Sequence, residues 1–434
     1  MRTIIILTAI IAPLFCLSLT GCGGDGDGGS TVVSPPAPAI QSYNGAAEIV
    51  TNTQVSTDWS LSKPITLTNG NTLISWLKGS PLGTVQGQLY DASGSKIGDT
   101  ITLTTAGIEA QIAPLSTGGF VAFWDASNNM AGQVFDASGA KVGAEFVAPT
   151  YATYKSWATI AGLEDGKFVI GWVDVIAFNG DADGYGLNAQ IFDATGVKVG
   201  NSFRVNTTTA GNQELPNFTS LNNGGFVATW CNNCNSSSST ASTISAQVFD
   251  SNGARIGPQI DVSTDTTSIN INSRVAALQN GGFAITWEEL KDFTASTGVT
   301  KAKLQIFNAA GDKVGTAIDV SATGNQSTSD ITGLKNGQIA VLWQDGLFPV
   351  YFSRLKPLKV QVFSATGVKQ GDPYTVNLAT PTDQYTFWPY IAPLSNGGFV
   401  VSWKEYNGFA GQVNGYPTQP DWVETTKARF YSPL

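Results

Sequence analysis

Residues 222–230 read NNGGFVATW, and they are one of seven versions of a single pattern. The terminal Trp230 has counterparts at Trp76, Trp124, Trp172, Trp287, Trp343 and Trp403, spaced 48 to 60 residues apart. Nine residues before each Trp stands a Leu, and six before each a Gly. Asn-Gly between apolar stretches signals a tight hairpin, because both turn residues tolerate positive φ. PNFTSL (216–221) and GFVATW (225–230) are therefore expected to pair as strands A and B. A second block follows the first six Trp residues, QVFDSNGARIG (247–257) here and QVFDASGAKVG (133–143) two units earlier. It predicts a second hairpin, of strands C and D, with a glycine in its turn. Both faces of strand B are apolar, so Phe226, Ala228 and Trp230 pack one way and Val227 the other. Four short strands per unit and a Trp ending one of them predict an all-β chain, a seven-bladed β-propeller of four-stranded blades.

Ring closure tests that reading. The last unit offers ARFY (428–431) as strand C, matching AQIF (189–192), and then stops short of a strand D. AEIVTN (47–52) precedes the first unit as FRVNTT (203–208) precedes a later one. An outer strand lent by the N-terminus closes the ring and covers an edge that invites aggregation. AGQVN (410–414) is a second candidate for the last strand C, and it draws the closure differently. The GGFVxxW and QxFDAxGxxxG cores resemble the repeat arrays of secreted and surface proteins of Gram-negative bacteria. That resemblance spans nearly all of residues 45–434 and implies an architecture rather than one activity.

The first residues, MRTIIILTAIIAPLFCLSLTGC, place Arg2 before an apolar run and end in Leu19-Thr20-Gly21-Cys22. The run reads as a signal peptide and is too short for a span of about 20 residues. LTGC resembles the lipobox of bacterial lipoproteins. The resemblance implies cleavage after residue 21, diacylation of Cys22 and, with Gly23 next, an outer-membrane destination. Residues 22–44 are rich in Gly, Asp, Ser and Pro, a composition that cannot bury enough apolar surface to order itself. They read as a tether, and 45–434 as the propeller.

The formal charge is −9, with 23 Lys+Arg against 32 Asp+Glu and no His. Nucleic acid as a partner is excluded by the missing basic face. Nucleophilic triads and metal sites built on histidine are excluded outright. Cys231 and Cys234 are the only cysteines beyond Cys22. In an exported protein they read as a structural disulfide.

The A–B and C–D turns are short and uniform, whereas the B–C and D–A connections vary in length. Function is expected on the variable face, since binding residues sit on loops over a rigid scaffold. Trp157, Tyr351, Phe352, Arg354 and Trp388 are the candidate ligand residues there, for a protein or a glycan of the envelope. Asn179, Asp181 and Asp183 alternate oxygen ligands in NGDADG (179–184), a candidate calcium loop that lacks the twelfth-position glutamate. Asp125, Asp174, Glu288 and Glu289 follow strand-B tryptophans. They support the competing class, a glycosidase working with paired acids in the channel.

Overall fold

The computed structural model describes residues 41–434 apart from 56–62, 80–82, 127–129, 148–157, 175–180, 182, 235–240, 292–298, 323–324, 346–356, 378–384, 408–411, 414–415 and 418–422. Seven four-stranded antiparallel blades form a β-propeller, in agreement with the repeat count. Blade 4 carries NNGGFVATW and displays the plan. Its strands A to D are Gln213–Ser220, Phe226–Asn232, Thr243–Phe249 and Arg255–Asp261, paired in chain order. One strand departs from the expected punctuation. Lys96–Pro114 runs without a break, serving first as strand D of blade 1 and then as strand A of blade 2.

Alternation within strand B builds the core. Phe226, Ala228 and Trp230 pack with Val169, Val173 and Leu187 of blade 3. Val227 and Cys231 pack with Val275, Ile285 and Trp287 of blade 5. Trp230 has no exposed surface, and such burial contributes a few kcal/mol per blade interface.

The hairpin turn differs from the two-residue turn the sequence suggests. Gly224 N–H donates to the Leu221 carbonyl at 3.1 Å, and Leu221 N–H donates to the Gly225 carbonyl at 2.9 Å. Gly224 alone is left-handed, at φ 84°. This is a three-residue loop, a type I turn closed by a glycine bulge. Asn223 is used for its side chain, since its Oδ1 accepts from Gly225 N–H at 3.1 Å. Gly225 is small for a different reason: a Cβ there would collide with the Phe249 carbonyl of strand C. Only blade 3 has two left-handed turn residues, Asp165 at 56° and Gly166 at 71°.

The repeated Gln of the second block also has a structural task. Gln247 Nε2 donates to the carbonyls of Val248, Ile256 and Gly257 at 3.1 to 3.2 Å. It thereby bridges strands C and D where their register shifts, between Ala246 and Val248. Gln88, Gln133, Gln190, Gln305 and Gln361 do the same in their blades. Arg429 takes this place in blade 7, donating from Nε to the Ala46 carbonyl at 2.8 Å.

That bond belongs to the closure. Val423–Pro433 is strand C of blade 7, pairing with Phe399–Asn407. Gln412–Val413 instead forms a two-residue pairing with Tyr416–Pro417, which decides between the two candidate strands. The outer edge of Val423–Pro433 is covered by Tyr43–Gly45 and Ile49–Val55, as the N-terminal loan predicts. The covering begins at Tyr43, inside the stretch read as tether.

Candidate functional site

Strand A lines the channel, and in five blades its register breaks near the end facing the long connections. The breaks lie between Ile108 and Gln111, Glu214 and Asn217, Ile271 and Arg274, Ser327 and Asp330, and Phe387 and Tyr390. Such bulges turn side chains away from the regular alternation. In blades 4 and 5 they hold non-glycine residues in the left-handed region, Leu215 at φ 54° and Asn272 at 55°. Each costs roughly 1–2 kcal/mol, so the surrounding packing over-determines the bulge.

Thirteen residues before each Trp, just past the bulge position, lies one polar side chain per blade: Lys63, Gln111, Thr159, Asn217, Arg274, Asp330 and Tyr390. Where bonds define their direction, these side chains reach to strand A of the next blade. Asn217 Oδ1 accepts from Val275 N–H, and Asp330 Oδ2 accepts from Ile391 N–H, both at 3.0 Å. Lys63 Nζ lies 5.9 Å from the ring centroid of Tyr390. Both partners of that contact belong to this ring, and it spans the boundary where blade 7 meets blade 1.

Glu214 stands at the blade 4 bulge. It is 4% exposed, and among the described residues its Oε2 has no hydrogen-bond partner. Burial pushes its carboxyl up from 4.5 to about 7. The folded protein therefore holds this proton more tightly than the unfolded chain does. The group costs nothing at pH 4 and destabilises increasingly as pH rises through about 7. Glu214→Gln should melt a few degrees above the parent at pH 8 and together with it at pH 4. Equal melting at both values would show that this carboxyl is not the titrating group.

The acids after the strand-B tryptophans prove to be largely scaffold. In blades 4, 6 and 7 the residue two past Trp accepts the indole N–H, Asn232 from Trp230 at 3.0 Å, Asp345 from Trp343 at 2.9 Å and Glu405 from Trp403 at 2.8 Å, whereas Trp287 donates to Asn270 at 3.0 Å and leaves Glu289 as the acid at that position. In blades 5 to 7 a strand-C lysine opposite the Trp pairs with that acid. The pairs are Lys303–Glu289 at 3.5 Å, Lys359–Asp345 at 2.6 Å and Lys427–Glu405 at 2.6 Å. Asp174 and Glu288 are buried and engaged within the protein, while Asp125 is exposed.

Cys231 and Cys234 are bonded to each other, with Cα atoms 5.7 Å apart. Their turn passes through Asn233, which is left-handed at φ 57°. Asp181 is 2% exposed and accepts from Asn206 Nδ2 at 2.8 Å. Asp183 Oδ2 accepts from Gly211 N–H at 3.1 Å. Both carboxylates thus brace the connection between blades 3 and 4. Among the described residues no group of three acids or cysteines could hold a metal ion. Asn179, Trp157, Tyr351, Phe352, Arg354 and Cys22 lie outside the described residues. Trp388 falls in strand A of blade 7, Tyr385–Pro393, at the bulge.

The sequence places Tyr390 in an aromatic cluster with Tyr385, Phe387 and Trp388, but points to neither Glu214 nor the other channel side chains. A signal existed: aligning on Trp puts a charged Glu214 where other blades have Ile108, Ile271, Ser327 and Phe387.

No family model and no curated relative matches the sequence. Solved structures resemble the fold. The polysaccharide lyase Uly1 aligns at TM-score 0.50 and 10% identity, over 85% of this chain and 89% of its own. A protein of unknown function from Dyadobacter fermentans aligns at 0.46 and 9%, over 89% and 99%. An α-L-arabinanase from Penicillium chrysogenum, complexed with arabinobiose, aligns at 0.45 and 13%, over 88% and 98%.

Proposed function

We propose that the chain is a lipid-anchored propeller of the bacterial envelope that binds a protein or glycan on the face of its B–C and D–A connections. One observation carries this reading: the two ends of the propeller are built differently. The A–B turn repeats one hydrogen-bonded loop, from Leu67 and Asn71 in blade 1 to Leu394 and Gly398 in blade 7. Neighbouring turns are stapled together, for example by Asn222 Nδ2 donating to the Leu278 carbonyl at 2.9 Å. At the other end strand A bulges in five blades, two bulges are strained, and the connections differ in length. Apart from Asp165 in the blade 3 turn, strain and irregularity gather at that end, as a binding surface on a rigid scaffold requires.

The acids needed by a glycosidase give that reading less support, because Glu289 serves the scaffold. The lipobox supports the anchor, and a propeller held at residue 22 needs no basic surface to stay at a membrane.

The test joins localisation to binding. Cys22→Ser should release the protein from membranes into the soluble envelope fraction. The released protein should bind an envelope extract or a glycan array, and lose at least tenfold in affinity when Trp157, Tyr351 and Trp388 are replaced together by Ala. Membrane retention of the Cys22 variant would refute the anchor. Absence of any binding would refute the binding role.

A further inference from the structure

We infer that the channel holds a seat for the carboxylate of an acidic saccharide, built from the Arg274 guanidinium and the Ile331 backbone N–H. The inference rests on reading the channel end as the ligand face, and it names the chemistry of the ligand.

The argument begins with the register of strand A. In blade 5 the turn closes with Leu278 N–H donating to the Gly282 carbonyl. Counting back from that bonded pair, Ala276 faces Ala284 in a bonded pair and Val275 faces Ile285 in a non-bonded one. The Val275 N–H therefore points off the free edge of strand A, into the channel, and Asn217 of blade 4 accepts it there at 3.0 Å. Blade 7 repeats this, with Ile391 N–H pointing inward and accepted by Asp330 of blade 6.

Blade 6 has the same register, with Leu334 bonded to Gln338 and Ile331 facing Val341. Its Ile331 N–H points into the channel for the same reason. The side chain that should accept it is Arg274, which only donates. At this step a donor occupies the position from which, on either side, an acceptor meets the next blade's N–H. Among the described residues no carboxylate lies within 4.0 Å of the Arg274 guanidinium. Among the described residues its hydrogen bond runs from Nη1 to the adjacent Ser273 carbonyl at 3.1 Å. Asp330 is the nearest acid in sequence register, and its carboxylate is turned to blade 7.

Blade 1 offers the comparison. Lys63 is also a donor, but its ammonium lies toward the Tyr390 ring at 5.9 Å, which gives it a partner. The inward position of blade 1 that would meet Tyr390 is Pro64, which has no N–H to satisfy. Lys63 also leaves the inward Ile112 N–H of blade 2 without an acceptor, but its charge lies on Tyr390, whereas the Arg274 charge has no such partner among the described residues.

A planar carboxylate matches a guanidinium fork and a converging N–H. The chain is strongly acidic, with a formal charge of −9, so the wider field opposes a long polyanion and favours one acid group held locally. The half-buried amides of Gln111 and Asn217 on the same ring suit a hydroxylated sugar ring. The seven ring positions carry polar side chains, which favours a sugar over the side chains of a peptide.

Calorimetric titration of the protein with tetragalacturonate tests the seat, with its fully methyl-esterified form as the uncharged control. The acid should bind at least tenfold more tightly than the ester. Arg274→Gln should abolish that preference, and Arg274→Lys should retain part of it. Lys335→Gln, on the exposed A–B turn of blade 6, removes the same charge at the far end and should change nothing. Each variant should melt with the parent, so that a lost preference reports the seat and not unfolding. Equal binding of acid and ester, or an unchanged preference in Arg274→Gln, would overturn the seat while leaving other binding at the loop face intact. Arg274-dependent binding of hexaglutamate with none of the uronate would overturn the saccharide assignment.

Discussion

Replacing Tyr43 by Ala is expected to destabilise the propeller by about 3–5 kcal/mol, the usual cost of emptying a buried aromatic site. Tyr43 is 5% exposed and packs on Phe399 and Tyr374, with centroids 5.3 and 6.1 Å away. Its hydroxyl donates to Gln338 Oε1 at 2.6 Å and accepts from Asn336 Nδ2 at 2.9 Å. Its N–H donates to the Tyr374 hydroxyl at 3.1 Å. One residue near the start of the propeller thus ties strand C of blade 7 to the A–B turn of blade 6. Removing residues 1–62 should do more. It strips the whole outer edge of Val423–Pro433 and leaves an unpaired edge that favours association between chains. Removing residues 1–40 leaves every one of these contacts in place and should leave the melting temperature unchanged. Denaturant unfolding and light scattering of the three proteins decide the matter. A truncation to residue 63 that melts with the parent would mean that the ring does not depend on this closure.

The architecture was readable because the seven units share what the backbone needs. Gly224 supplies a left-handed turn, Leu221 closes the loop and Trp230 fills an interface, so these recur at fixed offsets in every unit, while the glycine that clears a carbonyl at Gly225 recurs in four of the seven. The reason for Asn223 was misread, because Asn both tolerates positive φ and caps a turn through its side chain. Sequence alone does not separate the two. The unbroken Lys96–Pro114 was invisible, since its turn signal is the same Thr and Gly chemistry that ends a strand elsewhere. The channel was unreadable for the opposite reason. Its side chains are Lys63, Gln111, Thr159, Asn217, Arg274, Asp330 and Tyr390, seven different residues at one position. An alignment built on what recurs discards them, and only the register shows that they face one another. The acids after Trp were visible, but their lysine partners lie on strand C and become neighbours only through pairing.

Lys404 and Glu424 carry the other large expectation. They form an ion pair across strands B and C of blade 7, and neither side chain has any exposed surface. Removing both charges from water is expensive, and their attraction repays it only while both are present. Lys404→Met alone takes the opposite charge away from a fully buried carboxylate and should cost about 3–5 kcal/mol in urea unfolding. Adding Glu424→Leu should recover most of that loss, because an apolar pair of similar volume avoids the desolvation penalty altogether. The pair then has a role other than net stability. Strand C of blade 7 is held on its outer edge only by the borrowed N-terminal strand, so its register against strand B needs another determinant. Lys404 faces Thr426, and Tyr406 faces Glu424. A two-residue slip that brings Lys404 opposite Ala428 keeps the apolar alternation but separates the two buried charges, whereas the opposite slip sets them face to face. The double variant should therefore match the parent in unfolding free energy while showing slower or heterogeneous refolding. If the double variant is as unstable as Lys404→Met, the pair is a net stabiliser and the register argument fails.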